Sequence, residues 1–148
     1  MNVTATHSIS DEQAIRFFQE LKDQLHYTSL RKIMSLVRMI FSNLRGTYSE
    51  EQSKEIIACT PRVLQLLFNS TPATVTKKTY HLDELVDVVY QEDQQKTKGL
   101  FRSEIDALKT VSFALRKAEK LYKPAKVQLL NHALASELHD VAEEEVAF

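Results

Sequence analysis

Glycine is nearly missing from this chain, and that scarcity is the first constraint on function. The two glycines, Gly46 and Gly99, lie far apart. A Walker-type phosphate loop needs Gly-x-x-x-x-Gly-Lys and a dinucleotide-binding turn needs three clustered glycines, so both are excluded. A Gly-x-Ser-x-Gly nucleophile elbow falls with them. Proline is almost as rare, with three residues. Sheets joined by tight turns draw on residues that tolerate positive φ, so the shortage points to helices. The single cysteine, Cys59, allows no intrachain disulfide and leaves too little sulfur for a thiolate zinc site. No apolar run reaches the roughly 18 residues that a membrane-spanning helix needs. Met1 to Ser10 lacks the basic flank and apolar stretch of a secretory signal. The expectation is a cytoplasmic chain with no membrane segment. Charge of neither sign dominates: 19 basic against 20 acidic side chains leave a net −1, with no global pull toward nucleic acid or anionic lipid.

What is present suits a globular protein. With 43% hydrophobic and 26% charged residues over 148 positions, the chain is neither disordered nor fibrous. At this length folding buries roughly 70% of the unfolded surface, so no metal or cofactor is needed to hold the fold. We expect one helical domain over residues 1–148, with a first half at about 10–68, a linker at 69–80 and a second half at about 81–146.

Periodicity resolves six helices. Ser10-Asp11-Glu12-Gln13 is a capping box, and Ala14, Ile15, Phe17, Phe18, Leu21 and Leu25 continue as an apolar face. A second helix runs from about Thr28 to Arg45. Its polar strip, with Ser35, Arg38 and Ser42, is narrow, which predicts a central position. Gly46 follows, where a left-handed residue would end it. Ser49-Glu50-Glu51-Gln52 is a second capping box and opens a third helix, interrupted at Thr60-Pro61. There the helix either kinks or gives way to a new one with Pro61 in its first turn. Leu82, Leu85, Val86 and Val89 mark a fourth helix. Gln91 to Gly99 is polar and breaks the pattern. Phe101, Ile105, Leu108, Val111, Leu115 and Ala118 mark the fifth. Pro124 starts a sixth, through Val127, Leu130, Leu134, Leu138 and Val141.

A shift of about 74 residues brings Val37 onto Val111, Phe41 onto Leu115, Tyr48 onto Tyr122 and Ile56 onto Leu130, the mark of an internal repeat. The expected fold is therefore all-α: a six-helix bundle made of two related three-helix halves packed into one globule. Two unrelated amphipathic helix pairs can also align in this way. From Val37 to Phe68, the order Leu44-Arg45, Ser49-Glu50-Glu51, Ile57-Ala58, Pro61, Leu64 resembles the bacterial domain-of-unknown-function family 2267. Leu82 to Val141 looks like that family's other repeat. The resemblance implies a helical bacterial protein and supplies no established activity.

Candidate sites are few. His132 and His139 share a helix face about 10 Å apart, too far for one metal without a third element, and no metal or cofactor is expected. Cys59, among Ile56, Ile57 and Val63, reads as a small buried hydrophobe. Asp11-Glu12 and Glu50-Glu51 fall in first helical turns, where they complement the helix dipole. A helix-turn-helix around Gly46 would present Glu50, Glu51 and Glu55 to phosphates, which repels DNA. No catalytic residue stands out.

One cluster carries a functional alternative. Arg116, Lys117, Lys120, Lys123 and Lys126 crowd the turn between the fifth and sixth helices, and their equivalents in the first half are uncharged. They form either a solvated helix end, where cations suit the dipole, or an anion-binding patch. Glu119 inside the cluster favours the solvated face. The leading expectation is a non-enzymatic helical interaction module, open to a protein partner or to self-association. One alternative is an anion or nucleic-acid binder using the basic turn near Lys120, with nucleic acid disfavoured by the net charge. Another is an enzyme whose site is assembled from scattered residues.

Overall fold

The computed structural model describes residues 8–68, 79–97 and 99–146, all helix and connecting turn with no strand among them. Most of the expected 69–80 linker lies outside the described residues. Seven α-helices are described: α1 (Asp11–Leu25), α2 (Leu30–Arg45), α3 (Glu50–Cys59), α4 (Arg62–Phe68), α5 (Leu82–Glu92), α6 (Glu104–Tyr122) and α7 (His132–Val146). A π-helical turn, Asp93–Thr97, extends α5, and a 3-10 turn, Lys123–Ala125, ends α6.

Local chemistry sets most helix starts. The box at Ser10 is complete: Gln13 N–H donates to Ser10 Oγ at 3.1 Å and Ser10 N–H to Gln13 Oε1 at 2.8 Å. Ser29 caps α2 through Lys32 N–H at 3.3 Å, and Ser103 caps α6 through Asp106 N–H at 3.1 Å. The box at Ser49 is only half made. Gln52 N–H donates to Ser49 Oγ, but the Gln52 amide turns away to the Gln128 carbonyl at 3.0 Å.

Of the two outcomes open at Thr60-Pro61, the third helix breaks into two, because Thr60 is extended (φ −93°, ψ 128°) and Pro61 cannot donate. The structure departs from the sequence reading in three places. Gly46 is right-handed (φ −63°, ψ −13°), and the turn closes through Thr47 N–H and Oγ1 on the Leu44 carbonyl. The fifth helix starts at Glu104, after Phe101, since the Asp93 carboxylate takes the Leu100 and Phe101 N–H groups at 3.2 Å each. The sixth does not start at Pro124. Lys126 is left-handed (φ 59°) and ends the 3-10 turn. Helix resumes at His132, capped by Asn131 Oδ1 on Leu134 N–H at 2.9 Å.

Two helices form the centre. α2 touches α1, α4, α5 and α6, and α6 touches α1, α2, α5 and α7. Leu36, Val37, Ile40, Phe41 and Leu44 on α2 are buried, as are Ala107, Val111, Leu115 and Tyr122 on α6. Phe41 stacks on Phe68 (4.3 Å between centroids) and meets Tyr122 edge-on at 6.4 Å. No helix among the described residues is long and apolar enough to cross a membrane.

Candidate functional site: a basic groove between two helices

The segment between the 3-10 turn and α7 shapes the site. It is neither helix nor strand, so its carbonyls need partners from outside a regular ladder. Side chains from the first half supply them. Tyr48 donates to the Leu129 carbonyl at 2.7 Å and Gln52 to that of Gln128. Asn131 Nδ2 in turn donates to the Tyr80 carbonyl at 3.1 Å. Leu129 and Leu130, each 3% exposed, point into the core. The segment is therefore tied to the first half, and a groove opens between the end of α6 and the start of α7.

This groove has a volume of about 530 Å³. Leu129 and Leu130 close its floor from below, while half-buried Val127 and Ala135 supply accessible apolar surface. Arg116, Lys120 and Lys123 line it from α6 and the following turn, and His132 and His139 from α7. Among the described lining residues Glu119 is the single acid, and its carboxylate lies 3.3 Å from His139 Nε2.

The five sequence-selected cations thus divide. Arg116, Lys120 and Lys123 share the groove. Lys117 points the other way, to Glu20 of α1 at 3.3 Å, with its ammonium 5.6 Å from the Phe113 ring centre. Lys120 also borders a smaller cavity of about 230 Å³ on that side, so it sits on the ridge between the two. Lys126 is exposed and lines neither. Arg116, Lys120 and Lys123 share a wall because residues 116, 120 and 123 follow one helical stripe, while 117 lies about 100° around the helix.

The remaining polar groups serve the fold. Cys59 Sγ faces the Ile56 carbonyl at 3.2 Å, and burial pushes its thiol up, away from the reactive thiolate. Thr60 Oγ1 lies 2.9 Å from Tyr122 Oη and donates to the Ile56 carbonyl. Burial raises the Tyr48 and Tyr122 phenols well above 10.0. Glu137 of α7 caps α5, accepting from Leu82 N–H at 3.0 Å and lying 3.2 Å from His81 Nδ1. No group of three His, Cys, Asp or Glu suited to a metal ion occurs among the described residues. Sequence reasoning missed Asp93 and Glu137, whose partners lie across turns or 55 residues away. The apolar floor was legible only as a helical stripe.

No protein-family model matches the chain, and no curated protein or solved structure is significantly similar to it.

Proposed function

We propose that the chain is a non-enzymatic helical binding module whose recognition surface is the groove between α6 and α7. One observation carries this reading: Arg116, Lys120 and Lys123 converge over an apolar floor in a cavity of about 530 Å³. Binding sites of this size are mostly apolar with a few convergent polar groups. The floor is tied to the first half by Tyr48 and Gln52, so it is formed before any partner arrives. Such preorganisation lowers the entropic cost of binding.

A protein partner, a second copy or an anionic ligand could use this surface. Nucleic acid is the disfavoured case, since three cations and a net charge of −1 give little counterion release. Anisotropy with mixed DNA and RNA oligonucleotides at about 50 mM salt should show no binding. Micromolar binding, lost on Lys120→Gln/Lys123→Gln, would overturn that exclusion. Sedimentation across a concentration series tests self-association. The groove reading fails if Ala135→Trp, which fills the groove, leaves every detected binding unchanged.

Two further readings belong with this one. The two halves are related by duplication, counting α3 and α4 as one element split at Pro61. In support, α1 packs on α2, α4 and α6, and α5 packs on α6, α7 and α2. Tyr48 and Tyr122, at equivalent positions, each bond into the other half. On the residues around Leu44-Arg45 and Pro61, membership of family 2267 and a bacterial cytoplasmic setting are the matching proposals.

A further inference from the structure

Resting on the groove as a binding surface, we infer that its ligand is an amphiphilic anion, an apolar chain on Val127 and Ala135 with a carboxylate or phosphate head against Arg116, Lys120 and Lys123. The two chemistries of the groove face each other. Val127 and Ala135 offer apolar surface to an alkyl chain and nothing to a hydrated ion. The wall opposite Ala135 carries three cations over about 10 Å of α6 and its turn. Its one acid, Glu119, faces His139, which leaves the α6 wall net positive. A free inorganic anion would leave the floor unused, and an uncharged hydrocarbon would make no use of the charges on Lys120 and Lys123. An amphiphile satisfies both.

Size points the same way. A volume of about 530 Å³ lies within the small-molecule range of roughly 300–1,000 Å³. A partner helix is about 10–12 Å across with its side chains, and two turns of it would overfill the groove. The stems of Lys120 and Lys123 can lie along the chain while their ammonium groups reach the head, as long cationic side chains do at apolar surfaces. The floor segment has its Gln128 and Leu129 carbonyls already bonded to Gln52 and Tyr48. These two acceptors therefore do not compete with an anionic head for solvation.

The test uses the full chain with methyl-labelled valine and alanine, titrated by NMR with dodecanoate, dodecyl phosphate, dodecyltrimethylammonium and inorganic phosphate, each below its micelle concentration. Both anionic amphiphiles should shift Val127 and Ala135 saturably, and a preference between them identifies the head group. The cationic amphiphile should bind at least about tenfold more weakly, and phosphate alone should leave the Val127 signal unmoved. Lys120→Gln/Lys123→Gln should weaken dodecanoate binding about tenfold, and Ala135→Trp should abolish it. Melting curves show whether each variant stays folded. If Ala135→Trp does not, the comparison of head groups on the parent protein still decides. Equal binding of cationic and anionic amphiphiles, or no saturable shift at Val127 and Ala135, would overturn the inference. If dodecanoate fails while an acidic peptide shifts the same methyls, the amphiphile falls and the groove stands. If nothing that binds is affected by Ala135→Trp, the groove reading falls as well.

Discussion

Buried hydroxyl groups show how single residues carry this fold. Tyr48, Thr60 and Tyr122 are buried where the two halves meet, and each hydroxyl is within hydrogen-bond distance of a partner. Removing one partner is costly because the other remains dry. Thr60→Val should destabilise by about 1–3 kcal/mol by stranding Tyr122 Oη, while Thr60→Ser should cost much less. Phe41, 1% exposed and packed between two rings, should lose about 3–5 kcal/mol as Ala, whereas exposed Arg38→Ala should stay within about 0.5 kcal/mol. Thermal melts of the four variants check the order. The phenols also set an alkaline limit. Burial first, then the Asp106 carboxylate, raises Tyr27 from 10.0 to about 12. A phenol raised on folding stabilises the protein fully below pH 10, and that contribution is lost as pH climbs toward 12. Stability should therefore be flat from neutral pH to about 9 and fall beyond 10, with the Tyr27, Tyr48 and Tyr122 phenolates, followed by residue-resolved NMR, appearing together with unfolding. Phenolate forming near pH 10 on any of these three in a still-folded protein would refute the assignment.

At the level of elements, the informative region is the break between α6 and α7. Val127 and Leu130 fall at helical spacing, yet neither is in a helix. The left-handed Lys126 and the Asn131 cap decide where the chain leaves and re-enters helix. Asn131→Ala removes both the α7 cap and the bond to the Tyr80 carbonyl, and should cost about 0.5–2 kcal/mol. Lys126→Gly should be neutral to about 1 kcal/mol stabilising, since glycine relieves the left-handed strain but enlarges the unfolded ensemble. It should also leave groove binding unchanged, because Lys126 does not line the groove. A parallel loss of stability and binding in Lys126→Gly would show that the charge matters more than the backbone.

For the whole molecule, the halves interlock. Tyr48 reaches the Leu129 carbonyl, Tyr122 meets Thr60, and α2 and α6 share the centre. The buried residues of both halves form one cluster, and about 70 residues supply little stability alone. Calorimetry should give one cooperative transition, and residues 8–68 expressed alone should show none. Two resolved transitions would contradict the shared core.

By itself the sequence determined what local forces control: the all-helical class, the caps at Ser10 and Ser49, the buried faces of α2 and α6, and the interruption at Pro61. These follow from periodicity, side-chain capping and the missing proline donor, all acting within a few residues. Tertiary structure decided the rest. Gln52 gave up its local box for a carbonyl in the other half, Glu137 capped α5 from 55 residues away, Asp93 bound the Leu100 and Phe101 N–H groups across a turn, and residues 127–131 left the helix their spacing suited. For Gln52 and for residues 127–131, partners far along the chain outweighed a local preference worth about 1 kcal/mol or less. The groove exists only because of that last displacement. A helix continuing from Pro124 would have turned Val127 and Leu130 into the core on one stripe, and Arg116, Lys120 and Lys123 would have faced solvent with no apolar floor beside them.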